Sequence, residues 1–121
     1  MIRRAFRMTL HAGSEAEYER RHNPIFADLE QTLLDHGVTS YSIFVDPITR
    51  DLFAYVEMES EELWQRIAET DACRHWWRHM RELMVVNPDD SPESRDLREV
   101  FHLDRDHRGL ARSAAPATPE P

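Results

Sequence analysis

Tyr18 and His22 stand four residues apart, the spacing that puts two side chains on one face of a helix. Their stripe continues through Ile25, Leu29 and Leu33, so the face that carries a titratable ring also carries apolar residues that must point at a core. An imidazole titrates near neutral pH and can both take and give a proton, which suits general acid–base chemistry. The pattern alone favours a plainer role, a buried histidine hydrogen-bonded to Tyr18 or to a backbone carbonyl. Inward titratable groups mark a site only as a matter of odds.

Other side chains compete for attention. Trp76 and Trp77 are helix neighbours, about 100° apart around the axis, so both cannot face one pocket squarely. One can pack in the core while the other offers a flat face to a ligand, although two core or interface rings are the commoner use. Tyr41 stands on a strand face with Ile43 and Val45, and a tyrosine among aliphatics needs a partner for its hydroxyl. His75 and His79 are four apart, a spacing that could ligate a metal, and Glu82 continues their face; without a third convergent ligand a solvated helix face is the better reading and no metal is expected. Glu57 and Glu59 share a strand face, but they precede a run of acids and read as surface. Three glycines in the chain leave no glycine-rich phosphate loop.

The elements that must position these residues follow from periodicity. Residues 2–10 alternate, with Phe6, Met8 and Leu10 on one face of a strand. Ser14, with Glu17 three residues on, reads as a capped helix start. That helix is predicted to run to His36, with Gly37 as its C-terminal cap and a kink at Pro24, two residues after His22. Residues 38–45 and 52–58 alternate around a turn at Asp46-Pro47 and form a hairpin. Residues 61–84 are helical with a break near Thr70-Asp71, where Asp71 can cap a second segment. A loop at 87–92 leads to a last strand over 97–103. The order βαββαβ is an α+β, ferredoxin-like antiparallel sheet with helices on one face. The other face is expected to be apolar and to pack against a second copy, giving a dimeric α+β barrel.

Composition narrows the function. The length is that of one domain, expected over 1–103, with a charged and then Ala/Pro-rich tail over 104–121 predicted to be disordered. A net charge of −8 argues against nucleic-acid partners. Every Lys/Arg position is Arg, which removes lysine Schiff-base chemistry. Cys73 is the one cysteine, so no disulfide can form within the chain, and a reducing compartment is the natural reading. The N-terminus lacks the apolar run of a signal peptide, and no stretch approaches the ~20 apolar residues of a membrane span, so a cytoplasmic protein is expected.

Several segments carry a family likeness. They are Ile2-Arg3-Arg4-Ala5-Phe6, Tyr18 with Arg20-Arg21-His22-Asn23-Pro24-Ile25, His36-Gly37 before Tyr41, and Thr70-Asp71-Ala72-Cys73 before Trp76-Trp77. Asn87-Pro88-Asp89, Ser91-Pro92 and Glu99-Val100-Phe101 continue it. Over residues 1–103 the chain resembles the L-rhamnose mutarotases, departing at Asp90, where a neutral amide is expected. The resemblance implies a homodimer without metal or cofactor. It also implies His22 as the proton donor and Tyr18, Tyr41, Trp76 and Trp77 as the residues that bind L-rhamnose. The chemistry suits these types: anomer exchange needs one group that gives and takes a proton, and a deoxysugar offers C–H faces to aromatic rings and hydroxyls to tyrosines. Two rivals use the same fold, a cofactor-free monooxygenase and a non-catalytic small-ligand binding protein. Neither explains the segments around His22 and Trp76-Trp77.

Overall fold

The structure is a computed structural model that describes residues 1–105. The tail expected to be disordered lies, beyond Arg105, outside the described residues. The elements are β1 (Ile2–Thr9), α1 (Glu15–Arg21), α2 (Ala27–Asp35), β2 (Val38–Val45), β3 (Asp51–Met58), α3 (Glu61–Ile67), α4 (Asp71–Met80), a short 3-10 turn (Arg81–Leu83) and β4 (Arg95–Leu97). The sheet order is β2-β3-β1-β4 with every neighbouring pair antiparallel, which is the ferredoxin-like arrangement expected from the sequence.

Alternation sets the two faces of the sheet. Phe6, Met8 and Leu10 of the first strand segment and Leu52, Ala54, Val56 and Met58 of β3 are buried under the helices. β3 is a central strand, and its four inward residues are at most 1% exposed. The opposite face is less apolar than expected. The registers place Phe44, Phe53, Arg7 and Arg95 in one row and Ser42, Tyr55, Ala5 and Leu97 in the next. Aromatic rings share that face with arginines.

Four local expectations need correction. Residues 14–36 form two helices rather than one kinked helix. α1 ends with His22 as its C-cap, the Asn23–Pro24 peptide is cis, and helix resumes at Ala27. Proline supplies no backbone donor and pushes its predecessor out of helical conformation, so the helix stops before it. Ser14 occupies the N-cap position but makes no side-chain capping bond, and Glu17 turns instead to Arg20 and Arg21. The second helical pair does break where expected, but Thr70 is the cap: its hydroxyl accepts from the Cys73 N–H at 3.2 Å. The last strand is three residues long, not seven. Beyond it Val100, Phe101 and Leu103 are exposed among the described residues.

Gly37 closes α2 as expected. Its φ of +85° is open to glycine, and a Cβ there would stand 3.3 Å from the Glu59 Cβ. This tight corner starts β2, the strand that carries Tyr41.

Candidate active site

The helices and the inner sheet face line a half-open cavity of about 1340 Å³. Tyr18, His22, Tyr41, Trp76 and Trp77, the five residues singled out in the sequence, all line it.

His22 occupies the turn that ends α1. Its Nδ1 lies 2.8 Å from the carbonyl oxygen of Tyr18. A carbonyl only accepts, so Nδ1 carries the hydrogen and Nε2 is left with its lone pair. The ring lies 4.3 Å from the Tyr18 ring and meets Trp76 edge-on at 5.0 Å. Burial pulls its pKa below the ordinary 6.5, against the opposing pull of the bond to the Tyr18 carbonyl. At neutral pH the imidazole is therefore uncharged and basic at Nε2. The expected link to Tyr18 exists through that residue's backbone, not its hydroxyl.

The two tyrosines hold their protons. Burial raises both well above 10, with a smaller push from a neighbouring acidic group, Tyr41 for Tyr18 and Cys73 for Tyr41. Neither hydroxyl hydrogen-bonds to any other described residue. Both are therefore available to hydrogen-bond a polar ligand in the cavity. Cys73 is buried, and its thiol is pushed up to about 12, so it stays a protonated thiol.

Trp76 and Trp77 divide their work as the 100° offset requires. Trp76 is buried and touches His22, Phe26 and His79. Trp77 is half-buried and lines the cavity. His75 and His79 do more than face solvent. His75 stacks on the Phe26 ring and His79 meets it tilted, each at 4.8 Å, and so they hold the segment between α1 and α2 against α4. Among the described residues no three metal-binding groups converge. Glu57 accepts a hydrogen bond from the Tyr55 hydroxyl at 2.7 Å, on the face away from the cavity.

Sequence reasoning missed Trp64. It lines the cavity from α3 and packs on Phe6 at 6.3 Å and on Tyr41 at 5.8 Å. The cavity thus has one aromatic cluster around His22, which includes Tyr18, and a second around Tyr41, which includes Phe6 and Trp64. The available signal was an aromatic three residues before Ile67 on a short amphipathic helix.

A ferredoxin-like fold holding a basic imidazole nitrogen and two unpartnered tyrosine hydroxyls in an aromatic cavity defines a small acid–base protein for a neutral, hydroxyl-rich ligand. A family model described as L-rhamnose mutarotase matches residues 3–103. A relative named L-rhamnose mutarotase from Opitutus terrae is 62% identical over 104 residues, covering 86% of this chain and 100% of the relative. The crystal structure of an L-rhamnose mutarotase from Formosa agariphila superposes with a TM-score of 0.79 at 38% identity, covering 86% of this chain and all of that one. The chain belongs to the L-rhamnose mutarotase family, the isomerases that interconvert the anomers of that sugar. An antibiotic biosynthesis monooxygenase from Nitrosomonas europaea matches at 12% identity with a TM-score of 0.57, covering 84% of this chain and all of that one, a likeness of fold alone.

Proposed function

We propose that this chain interconverts the α and β anomers of L-rhamnopyranose, with His22 moving the proton and Tyr18, Tyr41, Trp76 and Trp77 holding the sugar. The observation that carries the reading is the His22 ring, pinned at Nδ1 by the Tyr18 carbonyl with Nε2 left basic.

The neutral ring acts first as a base. Nε2 takes the proton of the anomeric hydroxyl as the bond from C1 to the ring oxygen breaks. The imidazolium so formed then gives its proton to that oxygen, leaving an open-chain aldehyde and a neutral ring. Rotation about C1–C2 presents the other face of the carbonyl. Closure runs the same transfers backwards and regenerates the starting imidazole. One group thus serves as acid and base, which agrees with the donor role that the family resemblance implies. The tyrosine hydroxyls, held protonated, pair with the sugar's hydroxyls, while the aromatic walls cover its C–H faces and methyl group. Acid–base catalysis of about 10²–10⁴-fold suffices, because the open-chain form is reached slowly without help.

The reading includes a cytoplasmic homodimer whose working domain is residues 1–103. Phe44, Phe53 and Leu97, exposed on the outer sheet face, support the pairing, and the free, buried Cys73 suits a reducing compartment. No described helix is long and apolar enough to cross a membrane. Saturation-transfer NMR on L-rhamnose tests the proposal. Exchange between the anomeric signals rises with the enzyme and returns to the spontaneous rate with His22→Ala; equal rates for the two proteins would remove His22 from the mechanism.

A further inference from the structure

Residues 15–23 carry His22, and beyond the buried Tyr18 ring and the His22–Trp76 contact few side-chain hydrogen bonds tie them to the rest of the chain. α1 has seven residues, well short of the ~12–15 at which an isolated helix becomes marginal, so contacts elsewhere in the chain must hold it. The side-chain bonds of Arg20, His22 and Asn23 stay within the segment. Among the described residues, Arg21 is the one member of 15–23 whose side chain hydrogen-bonds outside it.

The Arg21 guanidinium spans two helices. Nε donates to Glu17 Oε2 at 2.7 Å on its own helix. Nη1 donates to the carbonyl of His79 at 2.5 Å, and Nη2 to Glu82 Oε1 at 2.9 Å. The His79 carbonyl lies in the last turn of α4, where backbone acceptors lack intrahelical partners. The side chain is only 14% exposed. The charged and titratable groups that face it are therefore Glu17, Glu82 and the ring of His79, whose pKa the guanidinium helps to lower. The chain neighbour of Arg21 is His22, which meets Trp76 at 5.0 Å, and Trp76 stands three residues before His79. The two helices that Arg21 ties together are the ones that contribute the imidazole and the indole.

We propose that Arg21 is a positioning residue for anomer exchange, its guanidinium locking the end of α1 to the end of α4 so that His22 sits against Trp76 with Nε2 directed to the substrate. The proposal rests on His22 as the proton-transfer group. Lysine cannot reproduce it fully, because a point charge replaces a planar fork that holds three acceptors at once. A displacement of about 1 Å at a reacting group can cost on the order of 10²-fold in rate. Freed from Trp76, the imidazole would also regain water, and its pKa would rise towards 6.5.

The test compares full-length wild type, Arg21→Gln, Arg21→Lys, Glu82→Gln and His22→Ala by NMR exchange rates across pH and L-rhamnose concentration, normalised to folded protein by circular dichroism. Arg21→Gln is expected to lower kcat about 10- to 100-fold with KM little changed, and to move the acid midpoint of kcat/KM upwards. Arg21→Lys should recover part of both effects, and Glu82→Gln, which spares the His79 contact, should stay near wild type. A merely structural role would reduce the folded fraction and leave that midpoint where it is. Wild-type kcat and midpoint in folded Arg21→Gln would overturn the proposal. If Arg21→Gln does not fold, the same two readouts in Arg21→Lys decide, wild-type values again overturning it. Full exchange in His22→Ala would instead sink the parent reading.

Discussion

Lowering the pH perturbs His22 without changing a residue, and the expected response has a definite sign. Burial holds the imidazole pKa below 6.5, so the neutral form that starts the reaction persists further into acid than an exposed histidine would allow. With an unshifted pKa of 6.5, about a tenth of the molecules would keep a neutral imidazole at pH 5.5, and kcat/KM would fall to about that fraction of its pH 8 value. The depressed pKa predicts that more than a tenth survives, and the excess measures the depression. Stability follows the same direction. The folded state binds fewer protons than the unfolded chain between the folded pKa and 6.5, so the His22 contribution is complete above 6.5 and is lost as pH falls through that window. Each unit of depression corresponds to about 1.4 kcal/mol. Exchange spectroscopy on the L-rhamnose anomers from pH 5 to 8, corrected for the spontaneous rate, reads kcat/KM, and its midpoint belongs to the free enzyme. A midpoint at or above 6.5 in wild type would refute the buried, carbonyl-bonded imidazole as the acting base.

Three further outcomes follow from the geometry. Tyr41→Phe should raise KM for L-rhamnose by about 5- to 30-fold, the equivalent of ~1–2 kcal/mol for one lost hydrogen bond, while leaving the fold intact by circular dichroism. Thr70→Ala removes the hydroxyl that caps α4 and should lower stability in urea by about 1 kcal/mol, with exchange activity of the folded protein unchanged. Gly37→Ala forces a Cβ onto a backbone with φ of +85° and against Glu59, and should cost about 1 kcal/mol or more by the same measure; no loss would mean that the corner relaxes.

The strands were legible because burial falls on one face. Phe6, Met8 and Leu10, and Leu52 through Met58, alternate in the sequence as they do in the sheet. The break at Pro24 was misread because the apolar stripe from Tyr18 to Leu33 keeps helical spacing across a stretch that is not helical, so periodicity concealed a stop that proline chemistry imposes. The long final strand was misread for a similar reason. Residues 97–103 have strand-like composition, but β1 pairs with β4 only at Ala5–Arg7. The candidate residues that line the cavity were visible as a stripe, as paired aromatics and as a strand tyrosine. The proton on His22 was not, because its partner is a backbone carbonyl and side-chain types do not encode one. Arg21 resembled any surface arginine of a charged helix, since its acceptors at His79 and Glu82 lie about sixty residues away.

The central claim is that His22 presents a bare Nε2 because Tyr18 holds Nδ1–H. Nitrogen-15 NMR of the imidazole in the wild-type protein at pH 8 tests it most directly. The account predicts a protonated, pyrrole-type Nδ1 and an unprotonated, pyridine-type Nε2. The reverse pattern, with the proton on Nε2, would contradict it.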